Sequence, residues 1–190
     1  MNALVMCGGE GTRLDAPGEK PLFEVAGDPM VERVTRALRG ADVDEVYAVT
    51  SPAAPETRAY LRDREVSVVE GTGEGYVADL GAALDAVDPP VVTVVADLPL
   101  LAPEHVNAAL AAHDGRNVTV CVPTRLKESL GVSAETTRRH GGVERSPTGL
   151  NVVAAGESDE RVETSWDARL AVNVNYADDA AVAEVLADGP

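Results

Sequence analysis

A glycine-rich segment near the N-terminus carries the residue types that bind a nucleotide triphosphate. It follows a short apolar run, residues 4–7, that is typical of a buried strand. Its glycines let backbone N–H groups approach an anion, because no Cβ blocks the approach. A threonine, an arginine and a lysine add donors and positive charge for phosphate oxygens. The predicted nucleotide-binding residues of this segment are Gly8, Gly9, Glu10, Gly11, Thr12, Arg13 and Lys20.

Two better-known glycine loops do not fit this segment. The dinucleotide-binding pattern G-x-G-x-x-G needs a third glycine where Leu14 stands, and the Gly-Lys-Ser/Thr triplet of a P-loop is absent from the sequence. What remains is G-G-x-G-T-R-L followed by Lys20-Pro21. The simpler alternative is a glycine turn after a first strand, with its arginine and lysine merely solvated.

A carboxylate and two amides are the candidate metal ligands. Asp97 directly follows the apolar run 91–96, the clearest buried parallel strand of the sequence. Ligands of open α/β sheets bind at this end of the strands, and Mg²⁺ prefers oxygen ligands. Asn173 and Asn175 offer amide groups near the C-terminus, which can complete a Mg²⁺ shell through their oxygens or hold a phosphate through their donors. The structural alternatives are that Asp97 caps a turn and that the asparagines end a strand.

Two further loops are predicted to contact the nucleotide. A second glycine cluster, residues 70–75, follows a predicted strand and opens a helix, whose N-terminus attracts anions. A flexible turn is the alternative. A polar loop begins at Ser51, after the predicted strand 43–50. The predicted contacts in these loops are Ser51, Thr72, Gly73, Gly75 and Asp79.

The elements that position these residues alternate between strands and helices. Such alternation predicts βαβ units: one α/β, Rossmann-like domain spanning residues 1–190, with a mostly parallel sheet covered by helices on both faces. Pro29 is predicted to open a helix with Asp28 as its cap, and that helix ends at Gly40. Further helices are predicted over 57–64 and from Pro103 to about His113. Further strands are predicted over 66–69, 117–123, 147–153 and 162–166.

Composition excludes several classes of protein. Hydrophobic residues make up 45% of the 190, too many for a disordered chain, and no apolar run is long enough to span a membrane. With no secretory leader in view, we expect a cytoplasmic protein. Cys7 and Cys121 lie in strand-like apolar runs without metal spacing, so we expect them in the core.

The charge is strongly acidic. With 32 acidic and 16 basic residues, the formal net charge is −16, which repels nucleic acid and anionic membranes. The composition resembles that of proteins from halophilic cytoplasms, where salt screens this repulsion. Five of the basic residues lie in the weakly periodic stretch 124–149. This stretch is either a wall facing an anionic acceptor or an exposed insertion. Its basic residues are Arg125, Lys127, Arg138, Arg139 and Arg145.

The order of these motifs resembles a known family. The glycine loop with Lys20-Pro21, the G-x-G-Y-x-x-D-L run from Gly73, Asp97 and the N-x-N pair resemble the archaeal GTP:adenosylcobinamide-phosphate guanylyltransferases (the CobY type). These enzymes belong to the wider group of MobA-like nucleotidyltransferases. The resemblance implies transfer of GMP from GTP to adenosylcobinamide phosphate, with release of pyrophosphate, in cobalamin biosynthesis.

The resemblance also implies roles for individual residues. Asp97 and Asn175 would hold Mg²⁺, and Arg13 and Lys20 would act on the triphosphate with Asp97 as the third catalytic residue. Guanine would meet the strand ends near Ser51 and the second glycine loop. Many relatives have a second carboxylate near the end of the chain, where this sequence has only amides. A weaker metal site is the implied consequence, and a homodimer is compatible with the family.

Three other functions remain open at this point. Molybdopterin or phospholactate are alternative acceptors for a guanylyltransferase. A guanine-nucleotide-binding regulator would need the same loop but not a metal position. A sugar-nucleotide synthase is a further alternative, although such chains usually run longer.

Overall fold

The computed structural model describes residues 1–8, 14 and 17–188. The predicted contacts Gly9, Glu10, Gly11, Thr12 and Arg13 lie outside the described residues. Ten strands are described: β1 Asn2–Met6, β2 Glu24–Val25, β3 Asp28–Pro29, β4 Val46–Thr50, β5 Ser67–Glu70, β6 Val91–Val95, β7 Asn117–Pro123, β8 Arg138–His140, β9 Val143–Val153 and β10 Glu160–Thr164. Six α-helices are described: α1 Met30–Arg39, α2 Pro55–Arg62, α3 Tyr76–Ala86, α4 Pro103–Ala112, α5 Thr124–Leu130 and α6 Ala177–Ala187.

The strands build one large, mostly parallel sheet in the order β10-β7-β9-β6-β1-β4-β5, with β8 paired to β9. Parallel pairs join β6, β1, β4 and β5 on one side and β7 and β10 on the other. The long strand β9 runs antiparallel between β6 and β7 and joins the two sides. The predicted α/β fold with a mostly parallel central sheet is therefore confirmed.

Both faces of the first strand are buried, which is why it reads as an unbroken apolar run. Alternate side chains of a strand point to opposite faces. Ala3 and Val5 pack with the α1 residues Val34 and Leu38 on one face, whereas Leu4 packs on the other face in a cluster that includes Ala83 and Val87. Helices therefore cover the sheet on both sides, as the alternation of elements predicts.

Several predicted boundaries shift by a few residues. Helix α1 begins at Met30, one residue after the predicted start, because Asp28 and Pro29 pair with Glu24 and Val25 as a short antiparallel ladder. Consequently no side chain caps this helix. Helix α2 begins at Pro55, which suits a first helical position because it lacks an N–H.

The stretch 124–149 is neither irregular nor a detached insertion. It contains α5 and β8 and the first seven residues of β9, whose side chains alternate between buried and half-buried from Ser146 onward. Its hydrophobic periodicity is weak because a short helix and two strands, which have different periods, follow one another within this one stretch.

No helix in the described part of the chain is both long and apolar enough to cross a membrane.

The carboxyl ends of the parallel strands meet at one edge of the sheet, as they must when neighbouring strands run in the same direction. The Cys7 N–H donates to the Val49 carbonyl at 2.8 Å, and the Ala96 N–H donates to the Met6 carbonyl at 3.0 Å. The loops that follow β1, β4, β5 and β6 are thereby collected along this edge, which is where ligands bind in open α/β sheets.

Near this edge, strand β9 lies so close to the end of β6 that one position of β9 accepts only glycine. Gly149 has a positive φ of +86°, and a Cβ there would lie far inside van der Waals contact with the Val95 side chain of β6. An L-residue at this position would be strained by its backbone and would also push the two strands apart.

Gly149→Ala is expected to destabilise the protein by about 3 kcal/mol, combining left-handed backbone strain with overpacking. Gly156→Ala is the matched control, because Gly156 also has a positive φ of +75° but has nothing within 4 Å of its Cβ position. It should cost only about 1 kcal/mol. Urea unfolding of both variants measures the difference; equal losses would mean that β9 moves away from Val95 without cost.

Candidate active site

A cavity of about 760 Å³ opens at the carboxyl edge of the sheet. Gly8 contributes to it from the end of β1, Gly73 and Gly75 from the loop after β5, and Asp97 from the end of β6. The cavity thus lies where the strand ends gather the loops that the sequence marks as polar or glycine-rich.

One lysine joins the two predicted metal ligands. The Lys20 ammonium donates to Asp97 Oδ2 at 2.6 Å and to Asn175 Oδ1 at 2.8 Å. Its side chain is 13% exposed and that of Asp97 is 22% exposed, so the ion pair is largely shielded from water. Two oxygens from distant parts of the sequence therefore converge on one position that is occupied by positive charge.

The sequence pattern Val-Asn-Val-Asn explains how the asparagines reach the cavity. Val172 and Val174 are fully buried, and an extended segment turns alternate side chains to opposite sides. The Val174 N–H donates to the Asp97 carbonyl at 2.9 Å, which fastens this segment to the end of β6. Asn173 and Asn175 are thereby presented beside the Asp97 side chain.

Asn173 orients Asp97 from the side opposite to Lys20. Its Nδ2 donates to Asp97 Oδ1 at 3.1 Å and to the Thr148 carbonyl at 2.9 Å. Its Oδ1 accepts from the Lys127 ammonium at 3.2 Å. Both carboxylate oxygens of Asp97 therefore accept a hydrogen bond. Lys20 donates to Oδ2, and Asn173, which is itself in contact with Lys127, donates to Oδ1.

Asp79 holds the second glycine loop in shape. Its Oδ1 accepts from the Gly73 N–H at 2.8 Å and from the Thr72 hydroxyl at 3.0 Å. The side chain is 1% exposed, and Oδ2 has no hydrogen-bond partner among the residues the structure describes. A Cβ on Gly8 would collide with this Oδ2, so only glycine lets β1 end so close to the carboxylate.

A second cavity of about 440 Å³ adjoins the first. Asp97 and Asn175 line both cavities, together with Tyr76 and residues 135–136. Lys127, Asn151 and Asn173 line only the second of the two. The Lys20–Asp97 pair thus lies where the two cavities meet.

Asp179 connects the two segments that close the second cavity. Its carboxylate accepts from the Ser133 N–H at 2.7 Å and the Ser133 hydroxyl at 2.8 Å. It also accepts from the N–H groups of Asn175 and Tyr176, both at 2.9 Å. This residue is 1% exposed, so four donors satisfy a buried charge and fix the position of Asn175.

Glu19 anchors the turn that carries Lys20. Its two carboxylate oxygens accept from the backbone N–H groups of Glu56 and Thr57, at 2.9 and 2.7 Å, in the first turn of α2. An acidic group at a helix N-terminus satisfies free N–H donors and favourably meets the helix dipole. The 3₁₀ turn Lys20–Leu22 is thereby tied to the loop after β4.

The structure brings most of the predicted, described site residues together. Those that line the first cavity are Gly8, Lys20, Gly73, Gly75, Asp79, Asp97 and Asn175. Ser51 and Thr72 lie behind this lining: the Ser51 hydroxyl accepts from the Ala53 N–H at 3.0 Å, and Thr72 supports Asp79.

Two supporting residues are missing from the sequence predictions. Asp179 had a visible signal, since an acid three residues after Tyr176 fits the third position of a helix that starts there. Glu19 had none, because its partners lie 37 or more positions away in the chain.

The basic residues of 124–149 do not form a common wall. Arg138 pairs with Glu160 at 2.9 Å, and Arg145 donates to Thr164 at 2.8 Å, both partners lying on the edge strand β10. Arg125 lies over the Trp166 ring. Of these five residues, Lys127 alone is among the described lining residues of the two cavities.

The cysteines take no visible part in this chemistry. Cys7 is 1% exposed, and burial raises the pKa of its thiol to about 12, so the thiol stays protonated at neutral pH.

Within the described ranges, no group of three or more His, Cys, Asp or Glu side chains is arranged to hold a metal ion. A metal here would depend on Asp97, an amide oxygen and ligands from a substrate.

Asp179→Ala is expected to lower the free energy of unfolding by about 3 kcal/mol or more, because it leaves buried donors unsatisfied. Asp178→Ala is the matched control: Asp178 precedes it in the same helical turn but is exposed, so the change should stay within about 0.5 kcal/mol. Chemical unfolding compares the two. Similar small losses would refute the role of Asp179 as the connecting residue.

Comparison with known proteins agrees with this architecture. Residues 3–162 match the MobA-like NTP transferase domain. The adenosylcobinamide-phosphate guanylyltransferase of Methanocaldococcus jannaschii is 27% identical over 199 residues, covering 98% of this chain and 97% of that protein. The bifunctional protein GlmU of Streptomyces coelicolor is 36% identical over 126 residues, which are 62% of this chain and 26% of that protein.

Solved structures agree in fold. A nucleotidyl transferase from Methanothermobacter superposes with a TM-score of 0.67 at 18% identity, covering 94% of this chain and 93% of that one. A hypothetical transferase from Thermus thermophilus gives a TM-score of 0.59 at 25% identity, covering 80% and 64%. The family match spans residues 3–162, which are most of the chain. The chain belongs to the MobA-like NTP transferase family.

Proposed function

We propose that this protein is a guanylyltransferase that transfers GMP from GTP to adenosylcobinamide phosphate and releases pyrophosphate. The observation that carries the proposal is the position of Lys20, Asp97 and Asn175, which meet between two adjoining cavities. A nucleotidyl transfer needs two substrates that meet at one phosphorus atom. The similarity in length and sequence to the Methanocaldococcus jannaschii guanylyltransferase supports this acceptor over the alternatives.

The first cavity suits the nucleotide. Gly8 begins the glycine-rich segment predicted to bind phosphate, and Lys20 supplies a cation on the same side. The guanine base would lie against the loop that Asp79 holds. Gly73 and Gly75 have no side chain, so the base can approach their backbone closely. Arg13 and the remaining loop residues Gly9 to Thr12 would complete the contacts to the triphosphate.

The residues beside Lys20 fit a Mg²⁺ ion. Asp97 Oδ2 and Asn175 Oδ1 already converge on one ammonium group, and carboxylate and amide oxygens are suitable ligands for this metal. Substrate phosphates would supply further ligands. When bound, the ion would neutralise charge that develops on the phosphates.

The transfer needs no general base. The acceptor is a phosphate monoester, which is mostly a dianion at neutral pH, so its oxygen can attack the α-phosphorus directly. A P–O bond forms there while the bond from the α-phosphorus to the bridging oxygen breaks, and the electron pair leaves with pyrophosphate. Lys20 and Arg13 stabilise the charge on that leaving group, and the cavities hold the reactants in line.

A guanylyltransferase acting on molybdopterin or phospholactate would use the same reaction with another acceptor. A non-catalytic regulator is the candidate from a different class. The Asp97 network argues against the regulator, because nucleotide binding alone does not call for a carboxylate held from two sides at the junction of the cavities.

Pyrophosphate release tests the reaction and its acceptor together. With GTP and Mg²⁺ in multimolar KCl, we expect release only when adenosylcobinamide phosphate is added, and not with molybdopterin or phospholactate. Lys20→Ala and Asp97→Asn should each slow release roughly a hundredfold or more, since Lys20 stabilises the charge of the phosphates directly and Asp97 would do so through the Mg²⁺ ion that it holds. Asp88→Asn, at an exposed acid, is the matched control. Pyrophosphate release with another acceptor would assign the enzyme to another pathway. If GTP binds but no pyrophosphate is released with any acceptor, the regulator is favoured.

Metal binding without nucleotide tests the Lys20 position separately. Because the ammonium occupies the point between Asp97 Oδ2 and Asn175 Oδ1, a divalent ion must displace it. Lys20→Met should therefore tighten Mn²⁺ binding about tenfold or more, and adding Asp97→Asn should abolish the gain. Electron paramagnetic resonance of free Mn²⁺ measures both. Unchanged affinity in Lys20→Met would mean that these two oxygens do not form the metal site.

A further inference from the structure

We propose that Lys127 binds the phosphate monoester of the acceptor in the second cavity. This inference rests on the proposed function, since it assigns the place and the chemistry of that reaction's second substrate. The evidence for it is that Lys127 is buried, and that its ammonium group has fewer hydrogen-bond acceptors and less nearby negative charge than a purely structural lysine would need.

Lys127 is the most deeply buried lysine of the chain, which has only two. It is 3% exposed and lines the second cavity. Its ammonium donates to the Ala171 carbonyl at 2.8 Å and to Asn173 Oδ1 at 3.2 Å. An ammonium group has three N–H donors, so these two neutral acceptors leave one donor for another partner.

The charge of Lys127 is not matched by a direct partner. Across the described ranges, no carboxylate forms an ion pair with it; Asp97, Asp179 and Glu135 act on it only at longer range. Burial lowers the pKa of this lysine, and those three carboxylates offset part of the effect. A buried cation held by two neutral oxygens is costly unless an anion completes its surroundings.

The location suits the attacking phosphate. Asn173 contacts both Lys127 and Asp97, so the ammonium is one amide away from the carboxylate at the junction of the cavities. An acceptor phosphate that binds Lys127 would lie between Lys127 and Lys20, and it would thereby approach the nucleotide in the first cavity. Two anionic phosphates repel each other, and Lys127 would neutralise the one that attacks while Lys20 serves the one that leaves.

The main alternative is a positioning role. Lys127 would then only fix the amide of Asn173, which in turn orients Asp97. That role predicts slower turnover but no change in affinity for the acceptor. The two roles can therefore be separated by measuring binding and turnover independently.

The presence of only Lys20 and Lys127 allows a direct test in the unaltered protein. Labelling lysine with ¹³C at Cε gives two signals, assigned with Lys20→Met. The protein is first saturated with α,β-methylene-GTP and Mg²⁺, which fills the first cavity without reaction. Adenosylcobinamide phosphate and phenyl phosphate should then shift the Lys127 signal, whereas adenosylcobinamide, which lacks the phosphate, should not.

A substitution tests the energetic contribution. Lys127→Met keeps a long, unbranched side chain, one atom shorter than lysine, but removes the charge and the donors. It should raise the KM for adenosylcobinamide phosphate about tenfold or more while the KM for GTP is unchanged. Arg125→Met is the control, because it removes one positive charge from an exposed position of the same helix. Thermal unfolding verifies that both variants are folded.

The outcomes separate this inference from the proposed function. If pyrophosphate is released normally but neither phosphate shifts Lys127 and Lys127→Met keeps its KM, the reaction stands and the inference is wrong. A lower kcat with unchanged KM, again without a shift, would assign the positioning role instead. If phenyl phosphate shifts Lys127 while no transfer to the cobinamide occurs, the phosphate site stands and the proposed acceptor fails.

Discussion

The contact of Lys20 with Asp97 and Asn175 is the interaction on which the site depends. It joins three parts of the chain that are far apart in sequence: the turn after the glycine-rich segment, the end of the central strand β6 and the segment before α6. Further hydrogen bonds hold the three parts in place. The Glu19 carboxylate accepts from N–H groups of α2, the Val174 N–H donates to the Asp97 carbonyl, and the Asp179 carboxylate accepts from the Asn175 N–H. The geometry of the charged centre therefore does not depend on the Lys20 ion pair alone.

The sequence predicts the elements that burial dictates. Strand β7 is predicted with its observed bounds, because its apolar residues and its terminal proline leave few alternatives. The alternation of Val172, Asn173, Val174 and Asn175 likewise indicates which side chains face the cavity once the valines enter the core. Such patterns are local, and they predict the candidate lining of the first cavity well.

The sequence is less informative where partners are distant or competing structures are close in energy. Asp28 and Pro29 look like a helix start, but a two-residue ladder with Glu24 and Val25 takes their backbone instead. Lys127 looks like one of several surface cations in a mixed stretch. Only the fold reveals that Arg138 and Arg145 contact side chains of β10 while Lys127 lies in the interior. A one-dimensional pattern cannot distinguish these cases because both depend on contacts formed after the sheet assembles.

The antiparallel strand β9 has a consequence for how such a protein can diverge. It divides the sheet into one half built from residues before 96 and another built from residues after 116. Under the assignment proposed above, the first half handles the nucleotide, and the second carries most of what surrounds the acceptor. Substitutions on α5 or in residues 133–136 can therefore remodel one substrate's surroundings while leaving the parallel core of the other half intact. The close approach of Gly149 to Val95 lies at the boundary between these two halves, so changes in the second half must preserve that approach to leave the first half undisturbed.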